Sequence, residues 1–292
     1  MPFILKTRRQ VYLWKNSETL FNHTYSVTEA NYIATDCLGC YYMDQDQDKL
    51  AEYYFNKTIE INPRKVSAYY NLGKNLVKMN KINEAQPFFR QYLKFVSNQP
   101  EGYNAMADIY IKQNNLHKAE KYLLSALELD EKDTDALYNL SKIYMETERY
   151  KKAKEILLRM KKKNPTDANV TYNLALTYLK SGKYNIAISL LKKISTKNPK
   201  NAETLNNLAY AYMKQKKYQN AEKYFLKAIS ITPKDPEIYD NLGQIFFYQG
   251  KPLKALKSFE NALKITPKNT KLHASIQKNI DAVKKYMEKN YN

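Results

Sequence analysis

The chain has 292 residues, and 48 Lys and Arg against 29 Asp and Glu give it a net charge of +19 at pH 7. It contains no apolar run of about 18 residues, so no helix of it is expected to span a membrane. Its first ten residues turn basic after an apolar start, the reverse of a secretory leader.

In chain order, Trp14, Ser17, Phe21, Thr24 and Val27 recur at helical spacing. They predict a helix over about 12–28, the second helix of an incomplete repeat occupying 1–31. Its partner would be residues 2–11, which are short and basic. Seven windows of 34 residues follow without insertion or deletion: 32–65, 66–99, 100–133, 134–167, 168–201, 202–235 and 236–269. Within 202–235, Leu208, Ala209, Tyr212, Tyr218, Ala221, Phe225, Ala228 and Pro233 mark positions 7, 8, 11, 17, 20, 24, 27 and 32. The same kinds of residue return in the other six windows. Each window holds two apolar patterns of helical period, broken near positions 15 and 33, and Gly182 and Gly250 stand at position 15 where a first helix must end. Small residues at 8, 20 and 27 let two helices approach, and large ones at 7, 11 and 24 fill the gaps. Residues 270–292 are amphipathic, with Leu272, Ile276, Ile280 and Val283 on one face, and read as a helix that covers the last repeat.

These offsets resemble the tetratricopeptide repeat, whose signature is an aromatic, Leu-Gly, Tyr, Ala, Phe and Pro. The resemblance covers 32–269. It implies an all-α protein, an α-solenoid wound as a right-handed superhelix of antiparallel helix pairs. The flank TRRQVYLWKNSETLF also resembles the juxtamembrane lead-in of membrane-anchored repeat proteins, the bacterial glycosyltransferase-like and eukaryotic O-mannosyltransferase kinds. That resemblance implies the extramembrane appendage of a membrane glycosyltransferase, recruiting its protein substrate. The other reading of the flank is a full-length soluble protein with a frayed first helix.

In tetratricopeptide solenoids the first helix of each pair lines the concave groove, mainly through positions 2, 5, 6, 9, 12 and 13. Position 6 here reads Cys37, Asn71, Ala105, Asn139, Asn173, Asn207 and Asn241. An amide both donates and accepts, so a row of them can pair with the backbone of an extended peptide whatever its side chains. The row resembles the asparagine ladder of the O-GlcNAc transferase superhelix, interrupted by Cys37 and Ala105. The other reading is an amide that bonds a neighbouring helix. Position 5 supplies Tyr70, Asn104, Tyr138, Tyr172, Asn206 and Asp240, and position 9 supplies Lys74, Lys142 and Tyr210. Tyrosine offers wide contact area at low entropic cost. Position 12 adds Met145, Leu179, Met213 and Phe247, as groove wall or as core between repeats. The Lys and Asn set with which chaperone-tail clamps hold a terminal carboxylate is absent from positions 2, 5 and 9.

The six concave positions of the seven windows carry six Lys and nine Asp or Glu, a net of −3. The basic surplus therefore belongs to second helices and helix ends, which argues against a groove that tracks nucleic-acid phosphates. An outer basic face could lean on anionic lipid headgroups. The histidines His23, His117 and His273 are too far apart in a solenoid to converge. Cys37 and Cys40 share one predicted helix at a spacing that suits neither a disulfide nor, alone, a metal. The expectation is a non-catalytic scaffold with no cofactor or metal, holding a protein or peptide in its groove. Self-assembly through the incomplete first repeat and the last helix is a further alternative.

Overall fold

The structure, a computed structural model, describes residues 17–28 and 31–291. Trp14 and the short basic segment 2–11 lie outside the described residues. Among the described residues there are sixteen helices and no strands. Helix α1 spans Ser17–Val27. Seven pairs follow: α2 (Tyr32–Asp44) and α3 (Asp48–Ile61); α4 (Val66–Lys78) and α5 (Ile82–Phe95); α6 (Pro100–Lys112) and α7 (Leu116–Leu129); α8 (Thr134–Glu146) and α9 (Tyr150–Lys163); α10 (Ala168–Lys180) and α11 (Tyr184–Lys197); α12 (Ala202–Lys214) and α13 (Tyr218–Ile231); α14 (Pro236–Tyr248) and α15 (Pro252–Ile265). Helix α16 spans Lys271–Tyr291. First helices thus occupy positions 1–13 of each window, and second helices positions 17–30.

The chain divides into two compact units within α8, one ending at Ile143 and the other beginning at Tyr144. In unit one α2 packs on α3, α4 on α5 and α6 on α7, and α3 and α5 each pack on the first helix of the next pair. Unit two repeats the scheme through α9–α16. Helix α1 packs on α2, where the Glu18 carboxylate accepts hydrogen bonds from the hydroxyls of Tyr41 (3.2 Å) and Tyr42 (3.1 Å).

The turn inside each pair is built on one left-handed residue at position 15: Asp46, Asn80, Asn114, Glu148, Gly182, Lys216 and Gly250, with φ between 56° and 76°. It lets the next N–H reach back to the first helix, as in Gln47 to the Tyr42 carbonyl (2.8 Å) and Lys217 to the Tyr212 carbonyl (3.0 Å). This closes the orphaned carbonyls of the helix end. Glycine reaches that conformation freely, and Asn and Asp tolerate it, but Glu148 and Lys216 do not have that ease. Replacing either with glycine should therefore raise stability by about 1 kcal/mol, read as a shift in the denaturation midpoint followed by circular dichroism.

In the three pairs with glycine at position 8, that residue faces position 24. Gly39, Gly73 and Gly243 lie against Phe55, Phe89 and Phe259, and a Cβ on any of these glycines would stand 2.6–2.7 Å from the ring. Where position 24 is Leu123, Leu157 or Leu191, position 8 is Ala107, Ser141 or Ala175; Ala209 with Phe225 is the one departure. All four phenylalanines are fully buried or within 2 % of it. Helix starts are fixed by side-chain caps, among them Asn31, Asn115, Asp167, Asn201 and Asp235, and by Pro100, Pro236 and Pro252 in first turns.

Candidate functional site

Each unit has a cleft lined by first helices of three successive repeats. In unit one the cleft encloses about 420 Å³ between α4, α6 and α8. It gathers Tyr70, Lys74, Asn104, Tyr138 and Asn139 from the expected set, with Ala105 where the amide row is interrupted. In unit two a cleft of about 660 Å³ gathers Asn206, Asn207, Tyr210 and Asn241 from α12 and α14, with Leu176 and Leu179 of α10 as an apolar wall. The helical period explains the grouping. Positions 5, 6, 9 and 13 fall on one face of a 13-residue helix, so stacking three such helices brings their polar side chains into one trough.

The amides at position 6 are not all free to meet a ligand. Asn207 Nδ2 donates to the Tyr172 hydroxyl at 2.6 Å, from one repeat to the one before. Asn139 Nδ2 reaches Asp108 Oδ1 at 3.4 Å, and Asn71 Nδ2 reaches the Cys40 sulfur at 3.5 Å, both again one repeat back. The first is long for an oxygen acceptor and the second has a weak sulfur acceptor, so a better acceptor could displace either. Asn173 is buried, and its Nδ2 has no partner. At position 5, Asn104 Nδ2 donates to Asp133 at 2.6 Å while its Oδ1 is buried without a partner, as is Asn206 Oδ1. Buried polar atoms are nearly always paired, so these three are exceptions, closed off from solvent.

The tyrosines divide by role. Tyr70 packs on Phe89 and Tyr92, with ring centroids 5.8 and 5.1 Å away, and burial raises its hydroxyl above the usual phenol range. Lys74 lies over the Tyr70 ring at 5.7 Å, Lys142 over Tyr138 at 5.8 Å and Lys214 over Tyr210 at 5.0 Å, each one helical turn on. Tyr172 lies outside the unit-two cleft; its hydroxyl is raised by burial and then by the Glu203 carboxylate beside it. Lys142, Asn71 and Asn173 are likewise not among the residues lining either cleft.

Apart from Asp240, already noted at position 5, the carboxylates are the residues that the amide pattern did not single out. Glu101, Asp108 and Asp135 border the first cleft, and Glu237 and Asp240 the second. Asp240 is buried, accepting from Asn279 Nδ2 and Gln244 Nε2, both at 2.9 Å; burial outweighs these bonds and holds its carboxyl above the usual range. Their signal was the net negative count at the concave positions.

Cys37 and Cys40 are free thiols, and burial, then Asp36, pushes Cys40 up to about 11, so it is a poor nucleophile at neutral pH. Among the described residues no group of three or more His, Cys, Asp or Glu is placed to hold a metal, and no helix is long and apolar enough to cross a membrane.

Helical hairpins of fixed length, stacked so that in each unit their first helices form a polar trough, define an α-solenoid. The repeats are tetratricopeptide repeats: family profiles of that description match residues 66–95, 110–176 and 200–268. A profile of anaphase-promoting complex, cyclosome, subunit 3 matches 155–228. Among solved structures, a tetratricopeptide repeat protein of Parabacteroides merdae superposes with a TM-score of 0.69 at 16 % identity, covering 87 % of this chain and 98 % of that one. YrrB, described as a TPR protein with an unusual peptide-binding site, gives 0.53 at 23 % identity, over 61 % of this chain and 92 % of that one. A chain of the APC/C hetero-tetramer Cut9-Hcn1 gives 0.64 at 16 %, with 91 % of this chain covering 51 % of that one. No curated protein sequence matches.

Proposed function

We propose that the protein is a non-catalytic scaffold that holds an extended peptide along its first helices, using side-chain amides against the peptide backbone. The observation that carries this reading is the unit-two cleft. There Asn206, Asn207 and Asn241 converge with Tyr210 on one cleft. Proteins of this repeat class generally mediate protein–protein interactions, and the similar fold of YrrB, with its peptide-binding site, supports the same use of the trough. The amides divide the labour. Asn207 braces one repeat against the previous one, and we assign Asn241 and the amide nitrogen of Asn206 to the ligand. Were the chain part of a membrane glycosyltransferase, this cleft would recruit the protein substrate.

The test starts from peptides selected on the whole chain out of a random extended library. Asn206→Ala combined with Asn241→Ala should weaken them about tenfold or more, two backbone hydrogen bonds being lost, with the helical spectrum unchanged. Equal affinity for the double variant overturns the reading.

A further inference from the structure

The positive surplus of this protein falls almost wholly in one unit. Residues 1–143 hold 18 Lys and Arg against 17 Asp and Glu, a net of +1, whereas residues 144–292 hold 30 against 12, a net of +18. The surplus is concentrated on second helices. Helix α9 carries seven basic residues and one acid, and α11 carries three lysines and no acid.

Helix dipoles explain only part of this. Lys161, Lys162, Lys163 and Lys197 lie in last turns, where cations are favourable. Lys151 and Lys152 lie in the first turn of α9, where the dipole opposes them; that turn holds no acid, and Glu155, one turn on, is the only one in the helix. Counter-charges within the protein do not account for them either. Lys152 rests over the Tyr144 ring at 5.4 Å and Lys192 over Tyr212 at 5.6 Å, on aromatic faces instead of carboxylates.

Two further features give the face a shape. On α9, Lys151, Lys154, Leu158 and Lys162 form one stripe at helical spacing, shared with the single acid Glu155, and Leu158 is 43 % exposed. On α11, Ile186, Lys193 and Lys197 form another, with Ile186 44 % exposed. The ends of the two helices meet at a cavity of about 740 Å³ into which Lys161, Lys193 and Lys197 converge, with Glu203 the one carboxylate on its wall. Lys161 is already held there, donating to Thr171 Oγ1 at 2.6 Å.

We infer that the outer face of α9 and α11 is a docking surface for anionic membrane lipids, with the Lys161–Lys193–Lys197 cavity receiving a phosphate-bearing headgroup. Lysine stripes interleaved with exposed aliphatic side chains suit a headgroup layer, where ammonium groups meet phosphates and Leu158 and Ile186 enter the acyl boundary. Nucleic acid is the poorer fit. Of the 30 basic residues of this unit 28 are Lys and two are Arg, so the planar fork that reads phosphates and bases bidentately is nearly missing. The lysines of this surface are not among the residues lining the unit-two cleft, although Asn169, Tyr172 and Glu203, at positions 2 and 5, stand on the cavity wall.

Vesicle flotation of the whole chain tests the inference, using phosphatidylcholine alone and with about 30 % phosphatidylserine. Binding is expected only to the anionic vesicles and should fall as salt rises. Replacing the exposed side chains in Lys151→Glu, Lys162→Glu, Lys193→Glu and Lys197→Glu together should weaken it about tenfold or more. Leu158→Ser with Ile186→Ser should weaken it further at high salt, and Asn206→Ala with Asn241→Ala should leave it unchanged. Equal binding to both vesicle types, full binding by the charge-reversed variant, or capture of duplex nucleic acid through these lysines without vesicle binding would each overturn it.

Discussion

Replacing Phe225 with alanine is expected to destabilise unit two by about 3–5 kcal/mol, the cost of emptying a fully buried aromatic site. Phe225 is completely buried on α13 among Ala209, Ala221 and Ala228, which are too small to collapse into the space it fills. A solenoid has no other core to draw on, since each repeat touches only its neighbours. The loss should therefore appear as an earlier guanidinium transition of unit two with little change in unit one. Phe225→Leu is the informative control. Leucine already fills position 24 in three repeats, as Leu123, Leu157 and Leu191, so this change should cost less than about 1.5 kcal/mol. If alanine proved as mild as leucine, the ring would not be the filler that its burial implies.

The second large effect reverses a familiar sign. Glycine inside an exposed helix costs about 1 kcal/mol relative to alanine, so Gly243→Ala on helix propensity alone should stabilise. Its Cβ, however, would stand 2.6 Å from the Phe259 ring. Overpacking of this kind costs about 1–3 kcal/mol, and the net expectation is destabilisation. In a Phe259→Leu background the clash is gone and the same Gly243→Ala should stabilise by about 1 kcal/mol, recreating the Ala107–Leu123 pair of the third repeat. The sign change across this double-mutant cycle isolates the contact between positions 8 and 24. A Gly243→Ala effect of the same sign in both backgrounds would refute it.

The fold was legible because its forces are local and repeated. Leu208, Tyr212, Phe225 and Ala228 recur at fixed offsets, and an error in one window is corrected by the other six. The turns were less legible. Gly182 and Gly250 announced a left-handed residue at position 15, but Glu148 and Lys216 adopt it without any compositional sign, because the tertiary pairing of the two helices imposes it. The clefts were legible as positions but not as chemistry. A column of asparagines reads the same whether its amides face a ligand or a neighbour, and only the structure shows Asn207 spent on Tyr172 while the Asn206 oxygen is unpaired. The division of charge between units could be counted from the sequence. Its meaning depended on seeing Lys161, Lys193 and Lys197 reach one cavity.

The matching of sizes at positions 8 and 24 also bears on how so repetitive a chain avoids assembling wrongly. Seven near-equivalent hairpins present seven near-equivalent partners to any first helix while the chain is folding. A first helix that seized the second helix of the next repeat would set Gly73 opposite Leu123, leaving a hole, and one that seized the previous repeat's would press Ala107 against Phe89. Between the second and third repeats each mistake thus carries its own penalty, and there the glycine–phenylalanine and alanine–leucine pairs act as addresses. At that step they let a polymer of almost interchangeable parts recognise which halves were made for each other.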